Sequence, residues 1–195
     1  GAHQVHSDTV YEVTQKDKGR GALNPETVIP ETDALITNEP NLALTAFFAD
    51  CVPVFFLDPV KKAIALAHAG WKGTVAKISF KTVKALAEAY GTDPQDLLAG
   101  IGPSIGPCHY EVDLPVIEKV KEAFPDYWQS LITGLRPDGH AQLNLWQANY
   151  HQLRDAGVLP EKITMAKVCT YCHQDKLFSN RARMAGRQAA IIMLK

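Results

Sequence analysis

Two apolar runs, VPVFFLD over residues 52–58 and KAIALAHAG over residues 62–70, are separated by a turn punctuated at Asp58-Pro59. Neither run alternates apolar and polar residues as a half-solvated strand does. Each reads as a strand buried on both faces, and the pair reads as a hairpin. A chain built around such a hairpin must lay structure over both of its faces. That requirement predicts a mixed α/β domain, with further strands and with helices outside.

The rest of the chain supplies those parts. Strand patterns recur in TVYEV (9–13), DALIT (33–37), NLALTAFFAD (41–50), LLAGIGPSIG (97–106), where a short strand runs into a Gly/Pro loop, KITMAKVCTY (162–171) and RQAAIIMLK (187–195). Helical spacing predicts helices over 74–91, ending at Gly91, over 113–125 and over 143–158. Residues 16–33 are rich in turn formers and charge and read as a long surface loop. At 195 residues the chain fits one domain with a sizeable core, or at most two small ones.

Composition removes several functions. The net charge of −1 offers no nucleic-acid footprint. No apolar run approaches the roughly 20 residues that cross a bilayer. GAHQVHSD has neither the basic nor the apolar region of a signal peptide. Four cysteines are too few for a disulfide scaffold, which predicts reduced thiols in a cytoplasm.

Chemistry concentrates at the open end of the hairpin. Cys51 stands just before the first run and His68 near the end of the second, so paired strands would bring them near one another. His3 or His6 could add a third donor. One thiolate and two imidazoles make a zinc set with a fourth position open to solvent. The alternative for each is ordinary: a small apolar thiol, and a hydrogen-bonded imidazole. The turn HAGWKG (68–73), with glycines around Trp71 and Lys72, lets backbone approach a ligand closely. CTYC (169–172) reads as a packing pair at a strand end, because a structural zinc needs a second pair of donors.

Six motifs in order, QVH (4–6), DALIT (33–37), ADCVPV (49–54), HAGWKG (68–73), GPSIGPCHYEV (102–112) and CTYC…FSNR…GR (169–187), resemble the YfiH/YlmD-like laccase-domain proteins. These are also described as polyphenol oxidases of copper-oxidase type and as peptidoglycan editing factors. The resemblance spans the chain as one domain, 1–195, apparently without the family's N-terminal segment. It implies mixed sheets packed together, helices outside, and a likeness to toxin deamidases. It also implies zinc bound by His6, Cys51 and His68, and phosphorolysis of adenosine, inosine and methylthioadenosine to base and pentose 1-phosphate, with adenosine deaminase activity. Asp50 is the nearest carboxylate for proton transfer, although a strand would turn it away from Cys51. Lys72, Arg181 and Arg187 are the candidate phosphate contacts, with Arg183 either a fourth contact or solvated. Cys108-His109 is expected near the pocket. Lys72 and Asn180 stand where the family commonly has Arg and Tyr.

Three further expectations belong to this reading. A homodimer is one. Copper is the alternative metal, but a multicopper oxidase needs about ten imidazoles, and the chain has seven histidines and no His-x-His pair. The other alternative is a metal-free cysteine hydrolase using Cys51 and His68.

Overall fold

The computed structural model describes residues 1–22 and 24–195; Leu23, within the expected 16–33 loop, lies outside the described residues. In chain order the strands are β1 (Val10–Glu12), β2 (Ala34–Thr37), β3 (Leu44–Phe48), β4 (Val52–Asp58), β5 (Ala63–Ala69), β6 (Leu98–Ile101), β7 (Glu111–Val112), β8 (Ile132–Thr133), β9 (Ala141–Leu143), β10 (Ile163–Met165) and β11 (Gln188–Ile192). The helices are α1 (Trp71–Val75), α2 (Ile78–Tyr90), α3 (Leu114–Ala123), α4 (Trp128–Leu131) and α5 (Leu145–Asp155).

The hairpin β4–β5 lies at the centre of a six-stranded sheet ordered β1-β2-β5-β4-β6-β10. Its interior pairs are antiparallel, and β1 and β10 join the edges in parallel. Side chains of β5 divide by parity. Ala63, Ala65, Ala67 and Ala69 enter the core shared with α2, α3 and α5. Ile64 and Leu66 face the opposite core, which β3 and β11 cover. Small residues let the helices lie close, while large ones fill the gap beneath the ribbon. All seven β5 residues are buried, as an element covered on both faces requires.

The ribbon pairs Gln188 with Phe48 and Ile192 with Leu44, so the last strand closes over the hairpin. Helices gather on one face and the ribbon holds the other, an α/β architecture of mixed sheets. No helix among the described residues is long and apolar enough to cross a membrane.

Three local expectations shift. The helix expected over 74–91 is two helices, broken at Lys77, whose φ of 68° is left-handed. The broken end is satisfied from α5. Gln152 Oε1 accepts the Ser79 N–H at 3.1 Å, and the Ser79 hydroxyl donates to Asn149 Oδ1 at 2.7 Å. Second, strand 162–171 shortens to β10. Left-handed Lys167 interrupts it before Cys169 forms an isolated bridge to Ser104. Third, a small sheet ordered β7-β9-β8 occupies a stretch whose strands are too short to announce themselves.

Candidate functional site

The site begins with a buried carboxylate. Asp33, just before β2, is 3% exposed and accepts five hydrogen bonds. The backbone N–H groups of Val5, His6 and Ser7 donate at 3.1, 3.0 and 2.7 Å, and the Ser7 hydroxyl at 2.8 Å. The fifth contact is His68 Nδ1, at 2.7 Å from Oδ1. Burial works to raise the Asp33 carboxyl, but the bonds from His68 and Ser7 outweigh it and hold the group at about 2. Wrapping three successive amides around one carboxylate forces His6 into a left-handed turn with φ of 63°, which costs roughly 1 kcal/mol or more outside glycine. In return the His6 ring is aimed at the hairpin end.

The same carboxylate orients the second imidazole. With Nδ1–H bonded to Asp33, His68 presents the lone pair of Nε2, the arrangement in which a carboxylate fixes a metal-binding histidine. His68 projects from β5 on the ribbon side, with its ring 5.3 Å from that of Phe48. Cys51 precedes β4 by one residue and faces the same core. Its Sγ lies 3.7 Å from His6 Nε2, and the two imidazole centroids are 4.9 Å apart. One donor atom from each of His6, Cys51 and His68 falls within 4.8 Å of the others. A tetrahedral zinc with bonds of about 2.0–2.3 Å separates a sulfur and a nitrogen by roughly 3.5 Å, so the set fits such an ion. A β-carbon on Gly70 would stand 2.7 Å from the His6 ring and 3.0 Å from Cys51 Sγ. The glycine before Trp71 therefore makes room for the donors.

These donors line a cleft of about 590 Å³. Asp50, Lys72, Arg181 and Arg187, also expected at the site, line it too. Asp50 lies outside the strand in a left-handed turn with φ of 83°. Its Oδ1 accepts the Thr170 hydroxyl at 2.7 Å and its Oδ2 the Arg181 N–H at 2.6 Å. Both oxygens thus tie the C-terminal segment to the hairpin end. Arg181 Nη2 donates to the Glu111 carbonyl at 2.9 Å, and its guanidinium lies 5.3 Å from the centre of the Tyr110 ring. Burial, reinforced by the charges of Asp50 and Asp33, pushes the Cys51 thiol up to about 12.

Some expected residues lie elsewhere. His3 is exposed, and among the described residues only its backbone is engaged, with Ile29 and Thr32. Arg183, Cys108 and His109 are not among the residues lining the cleft. Cys169 is buried but Cys172 is exposed, so CTYC is not a packed pair. Sequence reasoning passed over Asp33, although it opens the DALIT motif. It also passed over Gln4, whose amide exchanges two hydrogen bonds with the Phe47 backbone at 2.9 and 2.8 Å. That exchange fastens the QVH segment to β3.

Comparison with known proteins bears on the family and the fold. The family model described as multi-copper polyphenol oxidoreductase laccase matches residues 1–195. The chain is 40% identical to purine nucleoside phosphorylase YlmD of Bacillus subtilis, over 100% of this chain and 70% of that protein. Its fold matches the crystal structure of Bacillus licheniformis hypothetical protein YfiH with a TM-score of 0.96 at 38% identity, over 100% of this chain and 73% of the other. YlmD from Geobacillus stearothermophilus matches with a TM-score of 0.95 at 36% identity, over 100% and 72%. With the match running from the first residue to the last, the chain belongs to the YfiH/YlmD-like laccase-domain family.

Proposed function

We propose that the cleft is the active site of a zinc-dependent purine nucleoside phosphorylase, acting on adenosine, inosine and methylthioadenosine, with adenosine deamination as a second activity. The observation that carries this reading is the convergence of His6, Cys51 and His68 within 4.8 Å in a cleft lined by Lys72, Arg181 and Arg187. A relative named purine nucleoside phosphorylase, 40% identical to this chain, supports the substrate class.

His6, Cys51 and His68 would hold the zinc, with Asp33 bonded to the His68 imidazole and to the His6 backbone N–H. Zinc, when bound, supplies a Lewis acid and lowers the pKa of a water toward about 7, chemistry that hydrolytic deamination at adenine C6 needs. The remaining work belongs to the chain. Three cations against one hydrogen-bonded carboxylate make the cleft a site for an anion, and phosphate is the nucleophile of phosphorolysis. A phosphate oxygen attacks C1′ of the pentose, the C–N bond to the base breaks, and the base leaves with its electron pair and takes up a proton. Phe47, Trp71 and Tyr110 offer aromatic surface for a purine. Asp50, with both oxygens engaged, positions Arg181 rather than shuttling protons.

The metal-free hydrolase is disfavoured by Cys51, whose thiol stays protonated at neutral pH when raised to about 12. Copper suits the same donors, and metal analysis of the purified protein separates it from zinc. The test of the function is turnover of adenosine with and without phosphate. Adenine formed only with phosphate supports phosphorolysis. Inosine formed in both conditions supports deamination, and the absence of both products refutes the proposal.

A further inference from the structure

Outside the cleft, four metal-binding side chains from two distant segments meet. Cys108 and His109 end the Gly/Pro loop after β6, and Cys169 and Cys172 follow β10. Cys108 and Cys172 are 64 positions apart, yet their sulfurs lie 3.7 Å from each other. His109 Nδ1 lies 3.3 Å from Cys108 Sγ and 3.4 Å from Cys172 Sγ. With Cys169 added, all four donor atoms fall within 4.8 Å of one another.

We infer that Cys108, His109, Cys169 and Cys172 form a closed tetrahedral site for a structural zinc ion, separate from the one in the cleft. The three spacings among Cys108, His109 and Cys172 match the edges of such a tetrahedron: bonds of about 2.3 Å to sulfur and about 2.0 Å to nitrogen give edges of roughly 3.8 Å between sulfurs and 3.5 Å between sulfur and nitrogen. They do not match a disulfide, whose sulfurs are bonded at about 2.05 Å. Three thiolates and an imidazole complete four-coordination without solvent, the composition of structural rather than catalytic zinc.

The surroundings are arranged for the same purpose. The Gly106 N–H donates to Cys169 Sγ at 3.2 Å, a contact that steadies a thiolate. His109 stacks on Tyr171 with centroids 4.2 Å apart and planes 19° apart, which fixes the ring that presents Nδ1. The Ser104–Cys169 bridge holds the two segments in register. Between β10 and β11 the chain has no helix and no strand. This irregular stretch nevertheless carries Thr170, Asn180 and Arg181, while the loop it meets carries Ile105 and leads into Tyr110. A metal joining the two segments closes a long loop and replaces the secondary structure that this wall of the cleft lacks.

The test is metal content of the full chain purified under reducing conditions, with Cys51→Ala and Cys172→Ser variants beside the wild type. About two equivalents of zinc are expected in the wild type and about one in each variant. Because Cys51→Ala leaves the second site whole, cobalt(II) added to it after metal removal should give thiolate charge-transfer absorption and tetrahedral visible bands. The inference is overturned if Cys51→Ala, folded by circular dichroism, binds neither zinc nor cobalt. It is also overturned if Cys172→Ser keeps the full wild-type content, or if mass spectrometry finds a Cys108–Cys172 disulfide in the reduced preparation. Failure of the nucleoside assay leaves these readouts unmoved, so the two claims fail separately.

Discussion

Replacing Asp33 with asparagine tests how the cleft donors are held. Oδ1 serves His6 N–H and His68 Nδ1, and Oδ2 serves Val5, Ser7 and the Ser7 hydroxyl. Asparagine keeps one oxygen and puts an NH₂ in place of the other. If the NH₂ takes the Oδ1 position, it faces two donors. His68 must then move its proton to Nε2, the atom needed for metal. If it takes the Oδ2 position, the Val5 and Ser7 amides lose their acceptor and the His6 turn relaxes. Either way at least two hydrogen bonds to a charged acceptor are lost, each worth about 1.5–3 kcal/mol. Partial relaxation leaves an expected destabilisation of about 3 kcal/mol. Loss of a carboxylate behind a ligating histidine typically lowers metal affinity about 10–100-fold. Competition for zinc against a chromophoric chelator, run beside thermal unfolding, reads both effects. Ser7→Ala is the control: it removes one donor, leaves His68 untouched, and should cost about 1 kcal/mol with zinc affinity nearly unchanged. An Asp33→Asn protein that binds zinc as tightly as the wild type would refute the reasoning.

Gly70→Ala places a methyl group against His6 and Cys51; zinc affinity should fall at least about tenfold while the far-ultraviolet spectrum stays native, as chelator competition and circular dichroism will show. Arg181→Ala should raise the KM for phosphate about tenfold or more, with a smaller change in the KM for adenosine, in steady-state assays at varied phosphate. Asp33 has a folded pKa of about 2 against roughly 3.9 when unfolded. Its stabilisation is therefore complete above about pH 5 and drains away between about pH 4 and 2. Acid unfolding followed by circular dichroism should show that loss in the wild type and a flatter profile over this window in Asp33→Asn.

The hairpin could be read from sequence because its apolar runs leave no polar side, and the donors because they stand at its open end. What stayed hidden depends on partners far along the chain. The break at Lys77 is tolerable only because Asn149 and Gln152 of α5 satisfy the start of α2. The role of Asp33 depends on amides 26 to 28 positions away and on an imidazole 35 positions away. Strand alternation turns Asp50 away from Cys51, but its left-handed turn removes it from the strand. CTYC reads as incomplete in sequence because Cys108 and His109, which meet it in the fold, lie beyond any local window. Strands such as β7 and β8, two residues each, carry too little pattern for periodicity to act on.

The most direct measurement strips the protein with a chelator and returns zinc in steps, while adenine released from adenosine and phosphate is followed in wild type and Cys51→Ala. The account predicts that wild-type activity vanishes on stripping and returns with zinc, and that Cys51→Ala recovers none at any zinc level. Full activity in the stripped wild type, or recovery in Cys51→Ala, would contradict it.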